Sequence, residues 1–542
     1  MSRARRYWWA VVLVVVVALL APGTARAAGN PVSPYGGLSS SQRASLLAIA
    51  RDTWKFYGAD VDQATGLPMD NITFAGGAAS PTSFGRYTSA ANIGVYLWAV
   101  VAARDLGLVS EPQARARIQA TLTEVSHLKR DNGFLYQWYD TTNGNVLTNP
   151  GQSDCTETTP AFDNCFFISN VDNGWYASGL IVVRQAMPEL SHLANSLIAP
   201  MNFGLFYDAR AETHCNVNPA ITGNQPTGQM FGGYYVGLPP DQGDNWTHYY
   251  HNGALYSDPR ISAYIGMGLH QMPGNVWWRS WRELPPPAPF ADCQSTDPDF
   301  SWQGQWPMAG SWQTYTDPQS RQKFPVWEGH YTYPGSDLTF IPTYSGGMFE
   351  GLMPNEIVPE TSWGTRSFGL ADARTAQVQI KYATQQLHDP VWGMSPSSTP
   401  DDTGGYGGYG VEGLAFPYFG TGADASHPNQ GLSQCHGCAT EDVVTPHASF
   451  LALDVAPQQA FANITALRTR YPGVYGPDGF FDAVNPTTGA VGHRDLVLDQ
   501  SMIMAALDNA LHDRALQRDF ARDPVSWAAH TYLSMETMSI TG

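Results

Sequence analysis

The stretch from Tyr344 to Pro354 reads Tyr-Ser-Gly-Gly-Met-Phe-Glu-Gly-Leu-Met-Pro. It sets a single carboxylate, Glu350, among apolar side chains. A carboxyl group packed against apolar atoms is desolvated, which raises its pKa, and acids with raised pKa values gather at functional sites. The same side chain could instead cap or pair locally near the start of a helix. The stretch therefore offers Glu350 either as an acid of a functional site or as a local cap.

Helical patterns recur on both sides of this stretch, separated by long loops rich in Gly, Asn and aromatic residues. The predicted helices are Ser41–Tyr57, Ala90–Leu106, Glu111–Leu128, Asn173–Met187, Leu190–Phe203, Pro259–Gly268, Thr365–Leu387, Val443–Leu453, Pro457–Arg470 and Asp499–His512. No strand–helix alternation appears, which argues against a parallel α/β sheet. About ten to twelve helices with long loops between them predict an all-α fold, one large α/α toroid whose inner helices line a cleft.

The beginning of the chain has the features of a secretory leader. Arginines precede an apolar run from Tyr7 to about Ala21, and a small-x-small cleavage site ends at Ala27. The apolar run is shorter than the roughly 20 residues that a membrane span needs. We expect residues 1–27 to be a signal peptide and residues 28–542 to form a single exported domain, monomeric and without a membrane span.

The net charge of the chain bears on its partners. Without the leader and its four arginines, 25 basic residues face 47 acidic ones, a net charge of −22. Such a balance repels phosphate backbones and anionic membranes, so nucleic acid is not expected as a partner. Many aromatic residues lie beside Gly, Asn or Asp, an arrangement that suits the C–H faces and hydroxyls of sugars. We therefore expect a polysaccharide or oligosaccharide substrate, the alternative being aromatic loops without a binding role.

The six cysteines predict disulfides in an exported protein, although sequence alone does not fix their pairing. The local pairs are Cys155 with Cys165 and Cys435 with Cys438, and the remaining two are Cys215 and Cys293. The second local pair, Cys-His-Gly-Cys, could instead be half of a zinc site. No second Cys-x-x-Cys or His-x-x-x-His accompanies it, so a small disulfide-closed loop is favoured and no metal or other cofactor is expected.

Several acids lie in or beside these loops. They are Asp140, Asp172, Asp258, Asp401, Asp402, Glu441, Asp442 and Asp482. Capping of a helix would explain Asp172 and Asp258 without any chemistry, since Asp258 precedes Pro259. Cleavage of a glycosidic bond requires one acid to protonate the leaving oxygen and a second carboxylate to activate water or attack the sugar. The sequence contains no Gly-x-Ser-x-Gly, no His-Glu-x-x-His and no P-loop, so competing chemistries have less support.

A series of stretches, in one order along the chain, resembles a known family. The stretches are Thr53–Tyr57, Thr65–Asp70, Thr88–Leu97, Gly133–Asp140, Val171–Gly174, Tyr256–Gly268, Gly347–Pro354, Gly479–Pro486 and Leu498–Met504. They are similar to the glucoamylase-like domain of bacterial β-1,2-glucan endoglucanases and of cyclic β-1,2-glucan synthases. The synthase form of the opening stretch is Met-Phe-Glu-Tyr-Leu-Met-Pro. Each motif is weak alone, and the ordered series carries the resemblance.

The resemblance implies an (α/α)6 toroid, hydrolysis or transfer on a β-linked glucan, and no metal. It places Asp258 where the family has a glutamate proposed as general acid, and Asp482 where an acidic residue proposed for catalysis lies. Two departures stand out. Asp258 is one methylene shorter than the family's glutamate, and Pro396 replaces an acid in the stretch Trp-Gly-Met-Ser-Pro. Both leave the linkage and the stereochemical outcome open.

The sequence thus predicts an exported, metal-independent glycoside hydrolase of a β-glucan, with β-1,2-glucan as the candidate substrate. Asp258 is the predicted general acid, Asp482 the general base with water as nucleophile, and Glu350 the rival acid. The predicted substrate-binding residues are Asp140 and Asp172 for hydroxyls or water, and Trp138, Trp175, Tyr344 and Trp392 for stacking. Two alternatives stay open: a polysaccharide lyase on the same toroid that uses Tyr and His, and a carbohydrate-binding protein without catalysis.

Overall fold

A computed structural model describes most of the chain. The described residues are 35, 37–148, 152–156, 165–209, 211–212, 225–226, 228–237, 251–282, 309–333, 335–343, 346–411 and 442–540. The expected leader, Tyr344 and the cysteines Cys215, Cys293, Cys435 and Cys438 lie outside these ranges. The predictions that concern them, and the single-domain organisation of residues 28–542, stay predictions.

The α-helices of the described residues are α1 (Ser40–Asp60), α2 (Ala90–Asp105), α3 (Glu111–His127), α4 (Asn170–Ala186), α5 (Ser191–Ile198), α6 (Arg260–Gly268), α7 (Asn275–Arg279), α8 (Met348–Leu352), α9 (Glu360–Trp363), α10 (Phe368–Lys381), α11 (Pro446–Leu451), α12 (Pro457–Arg470), α13 (Val497–Leu511), α14 (Ala515–Arg522) and α15 (Trp527–Met535). Short 3-10 turns lie at Pro188–Leu190, Phe203–Phe206, Met353–Glu356, Pro472–Val474 and Pro524–Ser526, and a π-helical turn lies at Tyr382–Leu387.

Short strands connect the helices. They are β1 (Asn71–Thr73), β2 (Ser83–Gly85), β3 (Tyr87–Ser89), β4 (Arg130–Asp131), β5 (Phe134–Leu135), β6 (Trp138–Asp140), β7 (Phe167–Ser169), β8 (Ala211–Glu212), β9 (Gln225–Pro226), β10 (Gly233–Tyr235), β11 (Ala309–Thr316), β12 (Lys323–Thr332), β13 (Thr339–Phe340), β14 (Ser397–Ser398), β15 (Tyr406–Gly407), β16 (Tyr475–Gly476), β17 (Gly479–Phe480), β18 (Ala483–Val484), β19 (Val491–Gly492) and β20 (Arg494–Leu496). They pair antiparallel in two- and three-stranded sheets, of which β2-β1-β20 and β11-β12-β13 are the larger.

Burial divides the helices into two kinds. In α2, every residue from Ala90 to Ala103 is buried; α6 is buried throughout, and α13 is buried almost as completely. A helix that is apolar all round belongs inside a protein. By contrast, α3 buries a single stripe, Ala114, Ile118, Thr121, Leu122 and Val125, whose spacing of three and four residues marks one face. The inner helices are therefore buried on all sides, whereas the outer helices are buried along one face.

The inner helices contact one another in a closed cycle. Helix α2 packs on α4, α4 on α6, α8 on α11, α11 on α13, and α13 on α2. The cycle is completed between α6 and α8, because the Arg260 guanidinium of α6 donates to the backbone carbonyls of Glu350 and Gly351 in α8. The outer helices α1, α3, α5, α10 and α12 pack on α13, α2, α4, α8 and α11 respectively. The main architecture is thus helical, with an inner ring and an outer layer.

Several predicted helices agree closely with the structure. Helices α2, α3 and α12 match their predicted ranges to within one residue at each end. The predicted helix Leu190–Phe203 is wrong after residue 198: α5 ends at Ile198, because Pro200 lacks the backbone N–H that would continue the helical hydrogen bonds. The predicted helix Thr365–Leu387 is in fact α10 followed by a π-helical turn, which ends where His388 adopts a left-handed conformation with φ of 61°.

The prediction of an all-α fold omits the strands. Strands β11 and β12 form a hairpin of eight and ten residues whose ladder runs from Ala309 opposite His330 to Thr316 opposite Lys323. Helices α7, α8, α9, α14 and α15 were also not among the predicted helices. None of the described helices has the length and apolarity that crossing a bilayer requires.

Cys155 and Cys165, predicted as a local pair, lie at disulfide distance, with their sulfur atoms 2.10 Å apart.

The contact between α2 and α4 depends on Gly94. A Cβ atom at Gly94 would overlap the Trp175 carbonyl and lie 2.6 Å from the Tyr176 Cα, so backbone would have to move. We expect Gly94→Ala to lower the free energy of unfolding by about 1–3 kcal/mol, as overpacking does. The control is Gly58→Ala in the exposed part of α1, where a Cβ meets nothing within 4 Å. This change should stabilise by about 0.5–1 kcal/mol. Urea unfolding measures both, and equal effects would contradict the predicted close packing.

Candidate active site

Four inner helices carry a carboxyl or carboxamide side chain at their third residue. These side chains are Asn92 in α2, Asp172 in α4, Glu350 in α8 and Asp499 in α13. His447 is the second residue of α11, and Asp258 lies just before α6. Residues at the N-termini of neighbouring inner helices contact one another, as described below. The N-termini of these six helices therefore lie at the same end of the ring. We call this end of the ring the front end.

The first group at the front end is a pair of carboxyl groups, Asp258 and Glu350. Both are buried, with 8% and 7% of their surface exposed. The Trp175 indole Nε1–H donates to Asp258 Oδ2 over 3.0 Å, and the Ser257 hydroxyl donates to Glu350 Oε2 over 2.8 Å. The Arg260 guanidinium donates to the carbonyls of Ser257 and Glu350 and so holds the two segments together.

The pKa values of this pair are raised. Burial raises the pKa of Glu350 well above its ordinary value, and the charge of Asp258 raises it further. Burial also raises the pKa of Asp258, against hydrogen bonds from Glu350 and Trp175 that lower it. Burial, with a contribution from the Asp258 charge, raises the pKa of Asp172 to about 6. Two carboxyl groups this close cannot both ionise readily, so the pair favours a shared proton, preferentially on Glu350, whose pKa the Asp258 charge raises further.

Local capping does not account for these three acids. The N-cap of α4 is Ser169, whose hydroxyl accepts the Asp172 N–H, so Asp172 is not the cap. The Asp258 carboxylate makes no cap hydrogen bond to α6. Glu350 is bound by Ser257, a residue far away in the sequence, rather than by a local partner. The capping interpretation of Asp172 and Asp258 and the local interpretation of Glu350 are therefore wrong.

The second group at the front end consists of Asp482, Asp499 and His447. Each residue offers one atom that could bind a metal ion, and these three atoms lie within 4.8 Å of one another. All three residues are buried. Asp482 follows β17, and its Oδ2 accepts the Ser398 N–H over 2.5 Å. The Asp482 and Asp499 carboxyl groups interact with each other, and His447 Nδ1 lies 3.3 Å from Asp499 Oδ2; beyond these contacts, neither Asp499 oxygen nor Asp482 Oδ1 has a hydrogen-bond partner among the described residues. A buried polar atom without a partner calls for an explanation, and a bound hydroxyl or ion would supply one.

The electrostatics of this second group also favour protonation of the acids. Burial raises the pKa of Asp482 well above its ordinary value, and the charge of Asp499 adds to the effect. Burial raises the pKa of Asp499 to about 7. Burial lowers the pKa of the His447 imidazole to about 4, so this ring is neutral at physiological pH. Asp482 and Asp499 thus form a second pair that retains a proton near neutrality.

The geometry of the two groups allows several chemistries. An acid with a raised pKa can donate a proton, and a partly ionised pair can accept one. One imidazole and two carboxylates could also hold a divalent cation. The expectation of a metal-independent site stays a prediction.

Sequence reasoning missed Asp499, His447, Asp70 and Asn92 as parts of the site. The Asn92 amide donates to Asp70 Oδ1 over 2.9 Å, and the Asp70 charge is among the causes that raise the pKa of Asp499. A usable signal was available: α2 is apolar and buried on all sides after its first turn, yet that first turn carries the polar side chain of Asn92. Such a side chain in an otherwise buried helix must have a polar environment at that end.

The predicted stacking residues differ in their exposure. Trp175 and Trp392 are 2% and 5% exposed, so neither ring offers an open face for a sugar, in contrast to the predicted role. Trp175 instead packs edge-on against Trp98 and binds Asp258. Trp138 is half-buried and lies edge-on to Tyr87, 5.7 Å between ring centres.

Asp140 lies near the same aromatic pair, because β6 pairs with β3. Its Oδ1 accepts the backbone N–H of Thr142 over 2.6 Å and the Thr142 hydroxyl over 2.5 Å. These bonds form a turn. Its predicted contact with substrate stays a prediction.

Comparisons with known families and proteins identify what the chain is similar to. Residues 313–524 match the Glycoamylase family, described as "Putative glucoamylase", and residues 48–204 match a family of proteins of unknown function, DUF3131. The cyclic β-(1,2)-glucan synthase NdvB of Rhizobium meliloti is 30% identical over 201 residues, which are 36% of this chain and 6% of the synthase. The chain therefore spans only a small part of that relative. The resemblance to the glucoamylase-like domain is confirmed.

Solved structures share the fold. A "putative glucoamylase" from Bacteroides fragilis has a TM-score of 0.60 at 16% identity, covering 92% of this chain and 98% of that one. An endo-β-1,2-glucanase from Chitinophaga pinensis, bound to sophorotriose and glucose, has a TM-score of 0.59 at 14% identity, covering 91% and 98%. An endo-β-1,2-glucanase from Talaromyces funiculosus, bound to sophorose, has a TM-score of 0.57 at 12% identity, covering 92% and 91%. At such identities the likeness establishes a common fold.

The raised pKa of Asp499 predicts how stability depends on pH. An unfolded aspartate titrates near pH 3.9, whereas Asp499 in the folded protein titrates near pH 7. Between these values the folded state binds more protons, so the free energy of unfolding falls as pH rises, by at most about 1.4 kcal/mol per pH unit for this group. Asp499→Asn removes this slope, and the variant should gain stability over the wild type as pH rises towards 7.

Urea unfolding at a series of pH values measures the difference. Asp513→Asn is the matched control, because the side chain of Asp513 is 86% exposed. Its unfolding curve should follow the wild type at each pH. A constant difference between Asp499→Asn and the wild type across the range would contradict the pKa assigned to Asp499.

Proposed function

We propose that this chain is an exported glycoside hydrolase that cleaves a β-linked glucan, with β-1,2-glucan as substrate. The observation that carries the proposal is the presence of two buried carboxyl pairs, Asp258 with Glu350 and Asp482 with Asp499, at the front end of one helical ring. Hydrolysis of a glycoside needs one proton donor and one proton acceptor on either side of the bond. Each pair supplies one of these functions.

In the proposed reaction the first pair is the general acid. It starts with one shared proton, which the pKa values place preferentially on Glu350. The proton passes to the glycosidic oxygen as the bond from the anomeric carbon breaks. If Glu350 first returns the shared proton to Asp258, then Asp258 donates that proton to the glycosidic oxygen. Asp258 and Glu350, predicted as alternative general acids, thus act as one unit. The Trp175 and Ser257 donors then stabilise the charge that remains.

The second pair is the general base. A water molecule attacks the anomeric carbon, and its proton goes to the pair of Asp482 and Asp499. This pair carries one proton beforehand and two afterwards, so charges and protons balance. The Ser398 N–H fixes Asp482 through Oδ2 and leaves Oδ1 for water. Neutral His447 lies beside this pair, with its Nδ1 3.3 Å from Asp499 Oδ2.

The substrate class is supported by charge and by similar proteins. The acidic front end and the net charge of the chain favour a neutral polymer over a uronic acid polymer. Two structures of the same fold are endo-β-1,2-glucanases with bound sophorose or sophorotriose. Asp140, Asp172 and Trp138 remain the proposed contacts to sugar, whereas Trp175 acts through Asp258.

The remaining features of the proposal concern the whole molecule. The closed cycle of six inner helices with an outer layer supports an (α/α)6 toroid. The leader-like features of residues 1–27 support export, and we propose that the protein acts as a monomer whose hydrolysis does not use a metal ion. Two departures from the family, Asp258 and Pro396, bear on linkage and stereochemistry. The rival functions are a polysaccharide lyase and a binding protein without catalysis.

The two carboxyl pairs should respond differently to the leaving group. Glu350→Gln and Asp258→Asn remove the proton donor, so hydrolysis of β-1,2-glucan should fall by roughly 10²–10⁴-fold. An aryl β-sophoroside with a good leaving group needs no protonation, so these variants should cleave it at a rate close to that of the wild type. Asp482→Asn should fold normally and lose turnover of both substrates.

Release of reducing ends and of the aryl alcohol measures these rates. The thermal unfolding of each variant is compared with the wild type, so that loss of fold and loss of chemistry are separated. Equal loss on both substrates in Glu350→Gln and Asp258→Asn would contradict their role as acid. Full activity of Asp482→Asn on β-1,2-glucan would contradict its role as base.

A further inference from the structure

A second cluster of metal-ligating side chains lies away from the front end. Asp105 is the last residue of α2, Asp508 lies in the last turn of α13, and His512 follows that helix. One donor atom from each of the three lies within 4.8 Å of the others. Helix carboxyl ends carry a partial negative charge and favour cations. The cluster therefore lies where two adjacent inner helices end, at the opposite end of the ring from Asn92 and Asp499.

Asp508 is the unexplained member of this cluster. Its side chain is fully buried, and among the described residues neither carboxylate oxygen has a hydrogen-bond partner. His512 Nδ1 lies 3.7 Å from Asp508 Oδ1, an ion-pair contact that is long for a hydrogen bond. This single long contact compensates a buried carboxylate poorly, so a cation at these oxygens would stabilise it.

The nearby arginines do not supply that ligand. Arg104 donates to Asp105 Oδ1 over 2.7 Å and to the Ala186 carbonyl over 2.7 Å. Arg43 is bound to the carbonyls that follow Asp508, those of Ala510 at 2.9 Å and Leu511 at 2.8 Å. Both guanidinium groups are thus held by other acceptors.

We propose that Asp105, Asp508 and His512 bind a divalent first-row transition ion, with zinc as the best match. One imidazole and two carboxylates suit zinc, whereas calcium and magnesium prefer ligands that are all oxygen. The His512 side chain is half exposed, so an ion can enter from solvent and keep a water molecule as its fourth ligand. Bound there, the ion links the ends of α2 and α13. This inference does not depend on the proposed hydrolase function.

The test uses the full chain, freed of metal by a chelator and titrated with Zn²⁺ or Co²⁺ at mildly alkaline pH, where imidazole is neutral. Calorimetry measures the affinity, the visible absorption of Co²⁺ reports its ligands, and thermal unfolding reports stabilisation. We expect one ion bound at this cluster and a rise in Tm on its addition. Asp508→Asn and His512→Ala should each weaken binding at least about tenfold. His512→Ala changes a half-exposed side chain and so keeps the test valid if Asp508→Asn does not fold.

Two controls locate the ion. Asp513→Asn alters an exposed acid beside His512 and should leave the affinity unchanged. Asp499→Asn alters the other cluster that could hold a cation and should also leave this affinity unchanged. Binding that is lost in Asp499→Asn but kept in Asp508→Asn and His512→Ala would overturn the proposal. The proposal would also be overturned if the metal-free wild type bound neither Zn²⁺ nor Co²⁺. Asp508 would then be paired only to a protonated His512.

Discussion

The front end depends on one buried ion pair, between Arg260 and Glu360. The guanidinium donates through Nε and Nη2 to both carboxylate oxygens, over 2.8 and 2.7 Å, and both side chains are fully buried. Its remaining donors bind the carbonyls of Ser257, Glu350 and Gly351. A buried charge pair adds little net stability, but it fixes geometry, and removing one partner leaves an uncompensated charge. Here it fixes the distance between the segments that carry Asp258 and Glu350.

Around that constraint, desolvation decides the chemistry of the front end. Asp172, Glu350 and Asp499 all occupy the first turn of an inner helix, where the helix dipole favours a negative charge. Burial nevertheless raises the pKa of each, so desolvation outweighs the dipole. Acids that keep their protons near neutrality, close to partners that share them, are suited to proton transfer at physiological pH. The inner ring thus provides both the low dielectric and the spacing.

The sequence predicted the helices well where one face or all faces are apolar, as in α2, α3 and α12. It offered Glu350 because this acid stands among apolar neighbours, whereas the family resemblance singled out Asp258 and Asp482 from several acids in the loops. It missed the hairpin of β11 and β12, since the exposed face of β11 gives no clear alternation. It also missed His447 and Asp499, because partners distant in sequence meet only when the ring closes. The stacking role of Trp175 failed for the same reason, since burial of a ring depends on tertiary contacts.

The most direct test of the account is the action of the purified wild-type protein on a panel of glucans and other cell-wall polysaccharides. Two buried acid pairs at one front end predict release of reducing ends from β-1,2-glucan, with products that do not absorb in the ultraviolet. Release of reducing ends from a different β-glucan would support the hydrolase function and correct the proposed linkage. Unsaturated products that absorb in the ultraviolet, or binding of polysaccharide without any reducing ends from the whole panel, would contradict the account.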